Sequence, residues 1–217
     1  MAKHNIRYSV YGILDDSGKL VIGDKGLSES GIYIADHPGE GATQANYTGV
    51  EAAGEQKYAN GQVKRVAYGK PNIQLALTML DMDFAVKQKI KGWVSDGKGG
   101  WTQHLPKPHI AILTMADGFD GTDIVEALAN TEVIEPNSNN ATDTTTSADD
   151  NDELTVQAKE PLDKTKFVDP LDKTKNLPYK IWSSSDSKYD YNEILKEVFP
   201  GYQAVGGDSS TPSQSEA

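Results

Sequence analysis

The chain has 217 residues, a formal net charge of −11 at pH 7 and no cysteine. The missing cysteines exclude disulfides, thiolate metal sites and thiol nucleophiles. The acidic charge disfavours sequence-specific binding to a phosphate backbone, because like charges repel, and its ordinary role is solubility. No apolar run approaches ~20 residues, so we expect no transmembrane helix and no membrane partner.

The first predicted elements are strands. Residues 5–14 alternate between apolar and polar side chains, which is typical of a half-buried strand. A turn at 15–18 and a short apolar return to residue 22 predict a hairpin. Residues 31–35, Gly-Ile-Tyr-Ile-Ala, predict a further strand.

Segment 36–60 is rich in small residues and poor in large apolar ones. Loops longer than about 12–15 residues are usually functional or disordered. We therefore expect a long arm or flap at 36–60. An ordinary mobile surface loop is the alternative.

A strand leads directly into a helix between residues 72 and 92. At 72–79 every second side chain is large and apolar, which predicts a strand with one buried face: Ile73, Leu75, Leu77 and Met79. Next, Met82, Val86 and Ile90 recur at four-residue spacing, which predicts a helix over about 81–91. Asp81 or Asp83 is expected to cap its N-terminus, and Gly92 to end it.

Further strands are predicted on both sides of this unit. Residues 63–68 precede it as a short strand, and 93–101 follow it as a hairpin around glycines. Residues 109–115 are apolar on both faces, so they predict a central, covered strand. Residues 122–134 fit a helix or a strand, and the strand-rich setting favours a strand.

The C-terminal part begins with an acidic polar loop. Residues 136–153 contain no large apolar side chain, so burial cannot offset the entropy of ordering them. Residues 154–158 and 178–182 predict strands, and 190–199 an amphipathic helix ended by Pro200-Gly201. We expect residues 201–217, which are rich in Ser, Gly and Pro, to form a disordered tail.

A direct repeat lies between two of these strands. The hexapeptide Pro-Leu-Asp-Lys-Thr-Lys occurs at 161–166, the first repeat, and again at 170–175, the second repeat. A period of nine residues, used twice, is too short for a solenoid, so a local duplication within a loop is the simplest account.

Candidate catalytic motifs fail on spacing or context. Segment 92–99 matches a phosphate-binding loop except that Gly99 stands where Ser or Thr must bind magnesium, and it follows a helix instead of a strand. The histidines, His4, His37, His104 and His109, form no metal-binding or catalytic pattern. The acidic run 149–153 lacks the alternating ligands and glycine of a calcium loop.

Two further groups have simpler explanations than chemistry. Asp81 and Asp83 form a potential acid pair, but helix capping accounts for them. Trp93, Trp101 and Trp182 are candidates for stacking on sugars, although core packing or a subunit contact is commoner for tryptophan in a β protein. We therefore predict no enzyme activity and no catalytic, cofactor or metal site.

Four segments between residues 55 and 182 carry a family resemblance. They are Tyr58-Ala-Asn-Gly-Gln-Val63 leading into the 69–81 strand, the helix end Lys89-Ile-Lys-Gly92, the stretch Glu135-Pro-Asn-Ser-Asn-Asn140, and the closing Tyr179-Lys-Ile-Trp182. In this order they resemble the major tail protein, or tail tube protein, of long non-contractile bacteriophage tails, in particular of phages infecting lactic acid bacteria. The direct repeat departs from that family's pattern.

The resemblance implies a mainly β fold, a β-sandwich or barrel-like tail-tube domain over 1–200 with a flanking helix at 81–91 and a short C-terminal helix at 190–199. It implies a structural virion protein, made in the host bacterial cytoplasm, that self-assembles into stacked hexameric rings. The implied partners are further copies, the tape-measure protein, other tail proteins and double-stranded DNA, which passes through a negative lumen without specific binding.

One alternative function stays open at this point. A monomeric β-sandwich binding module, directed at a carbohydrate or another surface ligand, would use Trp93, Trp101 or Trp182. Such a module would remain globular and monomeric at high concentration, whereas a tube protein would form rings or tubes.

Overall fold

The computed structural model describes residues 3–138 and 151–203. A short 3-10 turn (Gly23–Lys25) accompanies twelve strands and two helices: β1 (Lys3–Leu14), β2 (Ile32–Ala35), β3 (Gly41–Thr48), β4 (Glu55–Ala59), β5 (Gln62–Ala67), β6 (Gln74–Asp81), α1 (Phe84–Lys91), β7 (Trp93–Ser95), β8 (Trp101–Gln103), β9 (His109–Gly118), β10 (Asp123–Ile134), β11 (Asp152–Ala158), β12 (Tyr179–Ser183) and α2 (Tyr191–Val198).

Eight of these strands form one antiparallel sheet. Its order is β2-β1-β9-β10-β11-β6-β3, and β12 pairs with β10 beside this path. Strand β10 is long enough to pair with two strands along one side. Its residues 124–128 pair with β12, and its residues 131–134 pair with β11. The predicted antiparallel, mainly β fold is confirmed, and it is consistent with a β-sandwich. Among the described strands no ladder joins β2 to β3, so the sheet is not a closed barrel.

The central strands are buried on both faces. On β9, Ile110 and Ile112 lie in one core cluster, whereas Ala111, Leu113 and Met115 lie in the other. The first cluster contains apolar residues of β6 and α1, and the second contains those of α2. This arrangement confirms the covered strand predicted at 109–115, and β10 confirms that residues 122–134 form a strand.

Both predicted helices are present with shorter bounds. Asp83 caps α1, since its carboxylate accepts the amide of Val86 at 2.9 Å, while Asp81 belongs to the end of β6. Gly92 ends the helix in the left-handed conformation at φ 82°. Asp190 caps α2 by accepting the amides of Asn192 and Glu193.

The expectation of one long loop at 36–60 is corrected. Strand β3 lies within it and pairs with β6, and β4 begins a hairpin that continues to Ala67. The small and polar residues of β3 misled the prediction, because an edge strand is held by backbone hydrogen bonds and needs few large side chains. At 19–22 the expected return strand is reduced to a single bridge between Leu14 and Leu20.

Two other predictions fall largely outside the described residues. Of the acidic loop 136–153, residues 139–150 are not described, and β11 already begins at Asp152. Of the tail 201–217, only residues 201–203 are described.

Candidate assembly surface

A two-stranded hairpin, β4–β5, lies outside the main sheet. Its turn is Asn60-Gly61, where both residues have positive φ, 53° and 72°. Two consecutive positive φ values are the geometry of the turn that best matches the twist of a hairpin, and Asn-Gly is its preferred sequence. Residues 58–63, which carry part of the family resemblance, therefore form the turn of the hairpin and the residues next to it.

The hairpin displays large apolar side chains to solvent. Tyr58 is 67% exposed and Tyr68, just after β5, is 77% exposed. Val63 and Val66 are also exposed. Neither core cluster of the described residues contains any of these four side chains. Contiguous exposed apolar surface is typical of interaction sites, and Tyr58 and Val63 are adjacent because they pair across the hairpin.

The same segment is basic within an acidic chain. Residues 51–70 contain four basic side chains and two acidic ones, although the whole chain carries −11. The basic residues are Lys57, Lys64, Arg65 and Lys70, and the acidic ones are Glu51 and Glu55. Lys57 pairs with Glu55 on the same strand. The remaining positive charges are complementary to an acidic surface elsewhere.

Three strands of the main sheet have a ladder on one side only within the described chain. Strand β2 pairs with β1, β3 with β6, and β12 with β10. An edge of this kind presents unpaired N–H and C=O groups that can pair with another chain. The three edges are thus candidate positions for contacts between copies.

A cleft of about 300 Å³ lies between β1, β3, β9, β10 and β12. Glu126 lies in it, forms an ion pair with Lys3 at 2.5 Å, and accepts a hydrogen bond from Tyr179 at 2.5 Å. Tyr47 and Thr114 contact each other through their hydroxyl oxygens at 2.9 Å.

The tyrosines of this cleft stay protonated at neutral pH. Burial raises the pKa of Tyr179, and the hydrogen bond to the Glu126 carboxylate raises it further. Burial also raises the pKa of Tyr47 well above its ordinary value. Since these polar groups bind one another, the cleft has the character of an internally satisfied cluster.

The three tryptophans do not form one binding site. Trp93 and Trp101 lie on the β7–β8 hairpin, where Trp101 packs edge-on against Phe84 with ring centroids 6.3 Å apart. Trp182 lies on β12 and packs edge-on against the buried Phe167 at 5.9 Å. Two of the three tryptophans thus pack against aromatic rings of their own chain, and the binding-module alternative would have to use one of these separate positions.

The histidines have separate local contacts. His109 Nδ1 lies 3.0 Å from Asn130 Oδ1, the ring of His4 lies 4.7 Å from that of Phe119, and the ring of His37 lies 6.3 Å from that of Tyr33. Across residues 3–138 and 151–203, no group of three or more His, Asp or Glu side chains is placed to hold a metal ion.

Segment 92–99 forms a helix end and a β-hairpin. Asp96 accepts the amides of Lys98 and Gly100 at 2.7 and 2.9 Å, which closes the turn between β7 and β8. The hairpin prediction is confirmed, and the strand–loop–helix context of a phosphate-binding loop is not present. In the part of the chain that is described, no helix is long and apolar enough to cross a membrane.

Comparison with known protein families identifies the family of the chain. A family model for phage tail tube proteins matches residues 1–207. The chain belongs to the phage tail tube protein family. No curated protein and no solved structure matches the chain. Tail tube proteins are structural components of the virion tail and not a known enzyme family.

The sequence placed residues up to 60 in an arm and residues 63–68 in a strand, and it did not predict that the two pair as the β4–β5 hairpin of this tail tube protein. The signal was available, because Asn60-Gly61 between two strand-like stretches is a strong local indicator of a hairpin. The exposure of Tyr58 and Val66 was not predictable, since it depends on where the rest of the chain packs.

Proposed function

We propose that residues 1–200 form one subunit domain that self-assembles into stacked hexameric rings, and that the rings form the tube through which DNA is ejected. The protein is made in the cytoplasm of the host, a lactic acid bacterium, and functions in the virion with the tape-measure protein and other tail proteins. The observation that carries this proposal is the exposed, apolar and basic β4–β5 hairpin.

An isolated two-stranded hairpin is marginally stable at best in water. This one stands outside both described core clusters, so its four exposed apolar side chains gain most from packing against another molecule. A further copy of the acidic chain supplies both an apolar surface and the opposite charge. The hairpin is therefore suited to reach a subunit in an adjacent ring.

The open strand edges support ring closure. When an edge of one subunit pairs with an edge of its neighbour, backbone groups that face water become paired, and repetition around a ring covers two edges of every subunit. The edges of β2, β3 and β12 are the candidates. An acidic lumen would then repel the phosphates of passing DNA and prevent adsorption.

Removal of the hairpin tests the proposal. Residues 55–67 are replaced by a short Gly-Ser linker, and the variant is compared with the intact chain by negative-stain microscopy and by light scattering after size exclusion. We expect the intact chain to form rings or tubes at high concentration, and the variant to lose stacked tubes while it keeps its far-UV circular dichroism.

The β7–β8 hairpin offers a matched control. Shortening its glycine-rich turn at 97–100 removes exposed residues from another hairpin and is expected to leave tube formation unchanged. An intact chain that stays monomeric at every concentration would instead favour the binding module, and tubes formed equally well without the β4–β5 hairpin would refute its role.

A further inference from the structure

The two repeats have the same turn geometry. In the first, the Asp163 carboxylate accepts the amide and the hydroxyl of Thr165 at 2.9 and 2.7 Å. In the second, the Asp172 carboxylate accepts the same groups of Thr174 at 3.1 and 2.6 Å. The duplicated sequence is therefore also a duplicated, locally rigid structure.

The first repeat packs on the body of its own chain. Pro161 is buried and Leu162 is half-buried beside Gly18. A Cβ atom on Gly18 would lie 3.0 Å from Leu162 Cβ and 2.6 Å from the Asp163 amide nitrogen, so the approach depends on glycine. The next residue, Phe167, is anchored in the core.

The second repeat points its apolar residue into solvent. Leu171 is 96% exposed, the most exposed large apolar side chain among the described residues. Its amide is held by the Asp169 carboxylate at 2.8 Å. In place of the core phenylalanine comes Asn176, which donates hydrogen bonds to the carbonyls of Lys164 and Lys166 at 3.0 and 2.7 Å. The residue that follows the second repeat is thus hydrogen-bonded to the backbone of the first repeat.

The exposed Leu171 contributes no burial to its own fold, and its surroundings are well prepared for binding. The backbone around Leu171 is already ordered by hydrogen bonds, so docking would cost little further entropy. A Leu side chain that moves from nearly full exposure into a pocket gains a substantial hydrophobic free energy. The second repeat therefore has the properties of a contact element.

We propose that the second repeat is an intersubunit contact in which Leu171 packs into an apolar depression of another copy of this chain. The first repeat shows that this hexapeptide is able to pack on a surface formed by this chain, with Leu162 beside Gly18, and every further copy carries surface of the same composition. The exposed Lys173 beside Leu171 is complementary to a copy with a net charge of −11. This proposal rests on the proposed self-assembly.

Leucine truncation tests the contact in the full chain. Leu171→Ala is expected to raise the concentration needed for half-maximal assembly at least tenfold, because the lost side chain would be buried in each contact. Leu171→Met keeps the volume and is expected to stay within about twofold. Leu105, which is 70% exposed in another loop, provides the matched control, and Leu105→Ala is expected to leave assembly unchanged.

A cysteine probe provides a readout that does not depend on the strength of assembly. The chain has no cysteine, so Leu171→Cys and Leu105→Cys each carry a single thiol. On conversion of subunits to tubes at saturating concentration, we expect the rate of thiol alkylation to fall at least tenfold at position 171 and to stay constant at position 105.

The outcomes separate this contact from self-assembly itself. The contact would be overturned if two results occurred together: the thiol of Leu171→Cys stays as reactive in tubes as in the subunit, and Leu171→Ala assembles normally. The tube function would still stand. Failure of the unmodified chain to assemble would overturn both.

Discussion

At the scale of single residues, Arg7 joins three segments of the chain. Its guanidinium pairs with Asp117 on β9 and donates to Asp123 on β10 at 2.7 Å. Burial alone would raise the pKa of Asp117, but hydrogen bonds from Asn5 and Arg7 hold it below its usual value. The cluster fastens the N-terminal strand to the turn between β9 and β10.

Arg7→Met is expected to lower the free energy of unfolding by about 1–2 kcal/mol at pH 7, because two partly buried carboxylates lose a charged donor. A carboxyl group whose pKa is lower in the folded state stabilises the fold above its unfolded pKa, and this contribution is lost as the pH falls through the folded pKa. The difference between the two proteins should therefore shrink from about pH 5 towards about pH 2 in urea titrations. An equal difference at both pH values would contradict this account.

Lys91 is the most buried charge of α1, with a side chain only 3% exposed. It pairs with Glu135 at 2.5 Å, and its Nζ lies 4.9 Å from the ring centre of Trp93. Lys87 contacts the same carboxylate and also pairs with Asp152. These ion pairs connect α1 to the two strands that flank the acidic loop.

Glu135→Gln is expected to cost about 3 kcal/mol of unfolding free energy, because it leaves the buried Lys91 charge without its carboxylate. Glu132→Gln is the matched control, since the side chains of Lys159 and Glu132 are 40% and 29% exposed, against 3% and 17% for Lys91 and Glu135, and this pair should contribute less than about 1 kcal/mol. Chemical denaturation of both variants measures the difference. Equal losses would show that burial does not decide the value of the Glu135 pair.

At the scale of elements, the start of α1 was predicted with two alternatives for its cap. The structure selects Asp83, whose carboxylate accepts the Val86 amide three residues on. Asp81 accepts only the amide of Met82, which lies before the helix. Local spacing predicted the position of the helix, whereas the end of β6 decided which aspartate caps it.

Asp83→Ala should therefore lower the unfolding free energy by about 1 kcal/mol, the usual effect of losing an N-cap, and Asp81→Ala should lower it less. Thermal and urea unfolding of the two variants would order them. The reverse order would mean that Asp81 is the effective cap in solution.

The elements that sequence predicted best are those with clear periodicity. The alternation of Leu75, Leu77 and Met79 and the helical spacing of Val86 and Ile90 both follow from the burial of one face. The sequence did not predict strand β3, because this strand is held by backbone pairing with β6. Such pairing does not depend on large side chains and therefore gives no apolar pattern. For β10, burial of both faces erased the period that separates a strand from a helix.

At the scale of the whole molecule, charge is divided between a basic hairpin and an acidic remainder. Reversal of two hairpin charges in Lys64→Glu/Arg65→Glu should abolish or strongly weaken tube formation, because the hairpin would then repel neighbouring subunits. The melting temperature of this double variant should stay within a few degrees of that of the unmodified chain, since both residues are exposed.

The control is Lys98→Glu on the β7–β8 turn, which changes charge without touching β4–β5. Tube formation by the unmodified chain should also weaken as salt rises from about 0.05 to 0.5 M, because screening shortens the reach of exposed charges. Tubes that withstand both the reversal and the salt would exclude a charge-guided hairpin contact.

The sequence by itself determined the mainly β class and the two helices, because local periodicity and residue chemistry control these properties. Only the tertiary structure decided that residues 41–48 enter the sheet, that β4–β5 stands outside the core, and that Leu162 is half-buried while Leu171 is exposed. The two leucines share the same six-residue sequence, so the difference comes from what surrounds each repeat, with the core-anchored Phe167 and Gly18 beside one, and Asn176 and solvent beside the other.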